Sequence, residues 1–169
     1  HAGSPVRFHL ADAEKTMMPD AAYDLVVTRH LVWTLTDPGA ALADWFRVLK
    51  PGHRVVIVDG DWVRTSLRAR LLKRLSALLD RLGGARPLWD QASHERIMAR
   101  LPYCDGLTLD DVIGLLRGAG FTDIRTGELT PVRRHQWQAA TWSERLRMLA
   151  TYDGNTFIVS ATKPAGAAA

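Results

Sequence analysis

Apolar residues form two continuous runs in the first third of the chain, at 23–28 and 54–59. Neither run alternates apolar and polar side chains, which is typical of strands that are covered on both faces of a sheet. Between them, residues 37–49 place apolar side chains at helical spacing, after an Asp-Pro pair that suits a helix start. The order strand, helix, strand predicts a parallel α/β sheet in which both strands are buried.

Three more strands are predicted from the same patterns. Residues 6–12 alternate apolar and polar side chains, as a strand at the edge of a sheet does. Residues 121–129 and 155–163 are predicted as strands near the end of the chain. The proline-containing residues 16–22 are predicted as a loop, and the alanine-rich residues 164–169 as a disordered tail.

Helical periodicity is strongest after the second apolar run. Residues 64–82 place seven leucines on one face and many arginines on the rest. That helix suits packing on the sheet, a cap or dimer contact, or, through its basic face, a membrane surface. Further helices are predicted at 91–100 and from Thr108, where Asp111 completes a capping box, and residues 131–150 are predicted to be partly helical.

The composition limits the class of protein but does not indicate a function. A chain of 169 residues with 47% hydrophobic and 24% charged residues is typical of one soluble globular domain. The single cysteine, Cys104, excludes internal disulfides and fits a reducing compartment, and no apolar run reaches the roughly 20 residues that cross a bilayer. With no secretory signal visible, we expect a cytoplasmic protein. A net charge of +4 gives little support to nucleic-acid binding, and the histidines show no metal-ligand spacing.

Four short segments form a pattern through their order and spacing along the chain. They read Leu10-Ala-Asp-Ala-Glu14, Tyr23-Asp-Leu-Val-Val-Thr-Arg-His30, Arg47-Val-Leu-Lys-Pro-Gly52 and Leu115-Leu-Arg-Gly-Ala-Gly-Phe121. Each is a weak pattern alone. Together they resemble the second half of a class I S-adenosylmethionine-dependent methyltransferase.

The resemblance implies a Rossmann-like sheet of mostly parallel strands with the last one antiparallel, in the family order 3-2-1-4-5-7-6. The family's glycine-rich loop and the acidic residue after its second strand have no counterpart here, so the domain is expected to be N-terminally incomplete. The start at His1 agrees with a missing segment. We expect a single domain over 1–163 with a helical cap inserted at 64–104, after the fifth family strand. Without the missing strands, or a strand from another chain, residues 24–28 would be an exposed edge.

The resemblance also implies cofactor contacts. Asp12 and Ala13 match the family positions beside adenine, and Thr28, Arg29 and His30 follow the strand that borders the methionine end. His30 is the candidate catalytic base because a histidine titrates near neutral pH, although it could instead only orient the cofactor. Asp12 could equally cap a turn at the end of its strand.

Substrate residues are expected at the same end of the sheet, because ligands of open α/β sheets lie beyond the carboxyl ends of the strands. Trp33, Asp61, Trp62 and Tyr103 are the candidates. Trp33 could equally be a core residue. Asp59 is an alternative to Asp61 as the aspartate that reaches the substrate, but Asp59 could instead form a turn with the glycine after it. No metal site is expected.

The predicted function is methyl transfer from S-adenosylmethionine to O, N or C of a small molecule. The alternative is a non-catalytic methyltransferase-like module that binds a partner or dimerises without a cofactor half. The expected partner is a small-molecule substrate, with no nucleic acid and no membrane. A homodimer or a strand-swapped partner is a further expectation, because the exposed edge needs a cover.

Overall fold

One mixed sheet organises the part of the chain that the computed structural model describes, which is residues 6–64, 67, 71–72, 96–151 and 156–166. The elements in chain order are β1 (Tyr23–Arg29), α1 (Pro38–Val48), β2 (Leu49–Gly60), α2 (Leu109–Gly118), β3 (Thr122–Gly127), α3 (Thr130–Ala139), α4 (Trp142–Thr151) and β4 (Thr156–Thr162). A short 3-10 turn at Val32–Thr34 follows β1.

The strand order within this sheet is β1-β2-β4-β3. β1 and β2 are parallel, with Val26 opposite Val55, and β4 runs antiparallel to both β2 and β3. The order and directions are those of strands 4, 5, 7 and 6 of the expected family sheet. The predicted α/β class, with mostly parallel strands and an antiparallel last strand, is confirmed.

The core lies where α1 and α2 pack together on one face of the sheet. α1 begins where the Asp37 carboxylate accepts a hydrogen bond from the amide of Ala40 (2.9 Å) and Pro38 occupies the first turn. Leu42 and Trp45 on this helix meet Ile57 of β2 and apolar side chains of α2. The helix therefore fixes the segment that leaves β1 against the sheet.

The described sheet tests two expectations about strands. β1 was expected to be buried in a complete sheet and to be an exposed edge without the missing strands; it is the outermost described strand, and Leu25 and Val27 are 51% and 60% exposed, which confirms the second expectation. Residues 6–12 were expected to form an edge strand, but they form no strand and are exposed. In the family order two further strands separate that segment from β1, so no described strand lies beside it to supply hydrogen bonds.

The remaining element predictions divide into tested and untested ones. α1, β2, β3 and β4 match the predicted elements, and residues 130–151 hold two helices where partial helix was expected. Most of the predicted helices at 64–82 and 91–100, and residues 167–169 of the tail, lie outside the described residues. Among the described helices, none has the length and apolar composition to span a bilayer.

Candidate functional site

Polar side chains gather where the parallel strands β1 and β2 end. Thr28 and Arg29 close β1, and His30 follows with a backbone φ of 53°, a left-handed conformation that few non-glycine residues adopt. The amide of His30 donates to the carbonyl oxygen of Val58 on β2 (2.9 Å). The sharp turn after β1 is thus joined to the neighbouring strand, and it brings the imidazole to the carboxyl edge of the sheet.

Asp59 holds this edge together from inside. Its side chain is fully buried, and one carboxylate oxygen accepts from the amide of Val32 (2.9 Å). The other oxygen accepts from the amide of Gly60 (2.9 Å) and from the indole N–H of Trp62 (3.1 Å). Burial raises the pKa of the Asp59 carboxyl above its ordinary value, and these hydrogen bonds oppose that shift.

His30 and Trp62 are brought together by this arrangement. Their ring centroids are 4.6 Å apart with a tilt of 43° between the planes. Burial, and after it the positive charge of Arg29, lower the pKa of His30 below its ordinary 6.5, while Asp59 acts in the opposite direction. The imidazole is therefore more often neutral near pH 7 than an ordinary histidine, which leaves a nitrogen able to accept a proton.

Two buried polar atoms beside this edge have no hydrogen-bond partner among the described residues. They are Oγ1 of Thr28, on a side chain 7% exposed, and the indole Nε1 of Trp33. Buried donors and hydroxyls are nearly always paired in folded proteins, because an unmade hydrogen bond there costs free energy. The described residues thus leave the hydrogen-bonding capacity of both atoms unused.

The acidic loop at 12–16 is fastened to the start of α1. The indole of Trp45 donates to the carbonyl oxygen of Ala13 (2.9 Å). The Glu14 carboxylate accepts from the amides of Thr36 (2.6 Å) and Asp37 (3.0 Å), and these bonds lower its pKa, that from Asp37 most. Asp12 is exposed and accepts from the amide of Glu14 (2.9 Å), which is the turn-capping role that the sequence left open for it.

Asp61 is occupied by local contacts. Its carboxylate accepts from the amides of Val63 (3.0 Å) and Arg64 (2.8 Å). It also lies against Gly106, where a Cβ atom would be 2.5 Å from Asp61 Oδ1 and where φ is +107°. Asp61 therefore fixes the turn after β2.

Tyr103 is partly buried against the core, and burial raises the pKa of its phenol.

The structure brings His30 and Trp62 together, and Asp59 accepts from the Trp62 indole. It places Ala13 with Thr28 along one groove beside β1, while Asp12 is exposed on the loop that α1 holds in place. Asp59 is the residue whose role sequence reasoning missed. An aspartate at the end of an apolar strand was a signal, but the three donors that converge on it come from a turn that periodicity does not predict.

Comparison with known proteins supports the resemblance. A family model described as "Methyltransferase domain" matches residues 1–57. The chain is therefore similar to part of a class I methyltransferase domain. The methyltransferase match covers the acidic loop, β1, α1 and most of β2. The resemblance inferred from the four sequence segments is thereby confirmed.

Curated methyltransferases are similar over longer stretches. One, named ubiquinone/menaquinone biosynthesis C-methyltransferase UbiE, from Desulfotalea psychrophila, is 28% identical over 132 residues, covering 73% of this chain and 49% of the relative. The protein of the same name from Cupriavidus necator is 33% identical over 104 residues, covering 53% of this chain and 43% of the relative. The chain thus matches less than half the length of either relative.

Solved methyltransferase structures share the fold. Phosphoethanolamine N-methyltransferase 2 of Haemonchus contortus, with S-adenosyl-L-methionine, has a TM-score of 0.52 at 18% identity, covering 90% of this chain and 36% of that one. Geranyl diphosphate C-methyltransferase of Streptomyces coelicolor A3(2), with Mg²⁺, geranyl diphosphate and S-adenosyl-L-homocysteine, has a TM-score of 0.51 at 12% identity, covering 92% and 52%. At such identities the likeness concerns the fold alone.

Proposed function

We propose that the whole protein transfers a methyl group from S-adenosylmethionine to a small molecule, and that this chain supplies the second half of the methyltransferase domain. In the reaction, a lone pair on O or N of the acceptor, or a π electron pair at an electron-rich carbon, attacks the methyl carbon. The bond from that carbon to the sulfonium sulfur breaks, and S-adenosylhomocysteine leaves. The family match and the curated relatives support this class of reaction.

The observation that carries the proposal is the unpaired polar edge where β1 ends. Thr28 Oγ1 is buried without a partner among the described residues, next to the left-handed turn at His30. The outermost described parallel strand ends there, at the carboxyl edge where open α/β sheets bind ligands. A polar cofactor placed at this edge would satisfy the Thr28 hydroxyl, so the residues present fit S-adenosylmethionine.

The proposed cofactor residues are Asp12, Ala13, Thr28, Arg29 and His30. The anchored loop would offer adenine the free Asp12 carboxylate oxygen and the backbone of Ala13. The Glu14 bonds to the start of α1 keep that loop in one conformation, which lowers the entropy cost of binding. The turn at Thr28 to His30 would border the methionine end.

The proposed role of His30 is to accept the proton that an O–H or N–H acceptor releases. Its lowered pKa keeps the imidazole neutral and able to take that proton onto a ring nitrogen. Asp59 is buried beneath it and would stabilise the imidazolium that forms. Positioning of the acceptor against the sulfonium supplies the rest of the effect.

The proposed acceptor side comprises Trp33, Trp62 and Tyr103, beneath a helical cap at 64–104 within a single domain over 1–163. Trp33 contributes the unpaired indole N–H and Trp62 the aromatic wall beside His30. Asp61 is included on the acceptor side because it follows the end of β2, although its carboxylate already accepts two amide hydrogen bonds. The proposed location is the cytoplasm, because a single cysteine suits a reducing compartment.

A second candidate function is favoured by the open outer edge of β1. The chain could act as a binding or dimerisation module in which a strand of a partner pairs with β1. The exposed Leu25 and Val27 support this alternative. It differs from the first in needing no cofactor.

Calorimetric titration with S-adenosylhomocysteine separates the two functions. It is made on this chain and on the whole protein, with intact mass recorded for each sample. We expect micromolar binding by the whole protein, weakened about tenfold by Asp12→Ala, which corresponds to roughly 1.4 kcal/mol. Asp105→Ala, at an exposed position away from the loop, is the matched control. Absence of binding by the whole protein would reject the methyltransferase proposal and leave the binding module.

A further inference from the structure

The helices α3 and α4 line an open cavity of about 490 Å³ that the proposed methyl transfer does not use. Trp137 of α3 and Met148 and Leu149 of α4 form its apolar wall, and Arg133 and Arg134 line it as well. The volume lies within the range of roughly 300–1,000 Å³ that small-molecule sites occupy. None of its lining residues belongs to the edge formed by β1 and β2.

The charge around this cavity is strongly one-sided. Residues 130–151 contain four arginines and one acidic residue, Glu144. The Glu144 carboxylate accepts from the amide and the hydroxyl of Thr141 (both 2.7 Å), so it is engaged at the start of α4. None of the described side chains that line the cavity is acidic. In the described part of the chain, Arg134 makes no ion pair. The cavity therefore favours a negatively charged ligand.

The apolar wall adds a second requirement to the ligand. Trp137 is 38% exposed and Leu149 is 52% exposed, so the described structure leaves apolar surface open at the cavity. A ligand that suits both features has an apolar body and an anionic end.

We propose that the α3–α4 cavity is a binding site for an amphipathic anion, meaning a carboxylate or phosphate attached to an apolar body. The guanidinium of Arg134, aided by Arg133, binds the anionic group, because its planar fork matches carboxylate and phosphate oxygens. The apolar body packs on the Trp137 indole and on Met148 and Leu149. The site goes beyond methyl transfer and does not require the cofactor.

The test is calorimetric titration of the full chain with four probes that share one alkyl tail. Decanoate and decyl phosphate are the anions, and decyltrimethylammonium and decan-1-ol are the matched cation and neutral compound. We expect the anions to bind at one site at least about tenfold more tightly than the other two. Their relative affinities distinguish a carboxylate ligand from a phosphate. Equal binding of all four probes would reduce the cavity to a non-specific apolar surface and overturn the proposal.

Substitutions locate the binding in the cavity. We expect Arg134→Gln to weaken decanoate binding about tenfold and Arg134→Lys to weaken it less, since lysine keeps the charge and loses the fork. Arg117→Gln, an exposed arginine at the end of α2, is the matched control. Unchanged anion binding by Arg134→Gln would reject the site. Since these titrations contain no cofactor, they fail or succeed independently of the S-adenosylhomocysteine experiment.

Discussion

At the residue scale, the Asp59 carboxylate connects three parts of the candidate site. It joins the turn after β1, the end of β2 and the Trp62 side chain through hydrogen bonds to Val32, Gly60 and the indole. Both carboxylate oxygens accept hydrogen bonds, and all three partners are donors. A side-chain group that is itself a donor could therefore not take the place of either oxygen. Asp59 is thus a positioning residue of the proposed site, where it would act on a ligand only through His30 and Trp62.

Asp59→Asn tests this role. An amide has only one accepting oxygen, so its NH₂ group would face at least one of the three donors. We expect the free energy of unfolding to fall by about 1–3 kcal/mol, the cost of leaving a buried donor unpaired. Urea unfolding measures the change. Asp105→Asn, at an exposed position, should stay within about 0.5 kcal/mol of the wild type. Equal midpoints for both variants would show that the buried carboxylate does not stabilise the edge.

His30 predicts a dependence of stability on pH. Its pKa is lowered from 6.5 in the folded protein, chiefly by burial, so the unfolded chain binds the proton more tightly. The stabilisation that the neutral imidazole contributes is complete above about pH 6.5, the ordinary pKa of histidine. It is lost as the pH falls through the lower pKa of the folded protein. His30→Asn removes the titration while keeping a residue that tolerates the left-handed backbone.

The measurement is the free energy of unfolding at about pH 8 and about pH 5, on either side of the histidine titration. We expect the decrease between the two values to be smaller in His30→Asn than in the wild type. His135→Asn, on the exposed surface of α3, is the control and should keep the wild-type decrease. An identical decrease in all three proteins would mean that burial does not shift the pKa of His30.

At the element scale, α2 depends on a complete capping box. The Thr108 hydroxyl accepts from the amide of Asp111 (3.1 Å), and the Asp111 carboxylate accepts from the amide of Thr108 (2.9 Å). We expect Thr108→Ala to lower the free energy of unfolding by about 1 kcal/mol, since an amide in the first turn loses its acceptor. Thr108→Ser keeps the hydroxyl and should restore most of the loss. Equal urea midpoints for the alanine and serine variants would contradict the cap.

Local signals of this kind made most elements predictable. The Asp37–Pro38 start of α1, the box at Thr108 and the apolar runs of β2 and β4 each act within one segment, and the structure has all of these elements. The apolar run of β1 predicts a buried strand, whereas its exposure followed only from the resemblance, because burial of a strand depends on its neighbours in the sheet. The same reason applies to Asp59, whose three donors meet only in the folded chain.

At the scale of the whole molecule, the outer edge of β1 leaves apolar surface uncovered in the described part of the chain. A groove of about 310 Å³ runs beside it, lined in part by Met18, Leu25, Val27 and Trp45. Within the described sheet, β1 pairs on one side only. An apolar strand with an open edge offers amides and carbonyls to any similar strand, so the chain by itself is expected to associate.

Val27→Lys tests whether this association uses β1. Lysine on an edge strand opposes pairing, because a second copy would have to bury a charge beside its own strand. We expect the variant to shift the chain toward the monomer, as measured by light scattering after size-exclusion chromatography across a dilution series. Val132→Lys adds the same charge at an exposed apolar position on α3, where valine is 54% exposed, and should associate as the wild type does. If Val132→Lys instead gave the monomer and Val27→Lys did not, association would run through the α3–α4 pair, and the β1 edge would need no partner strand.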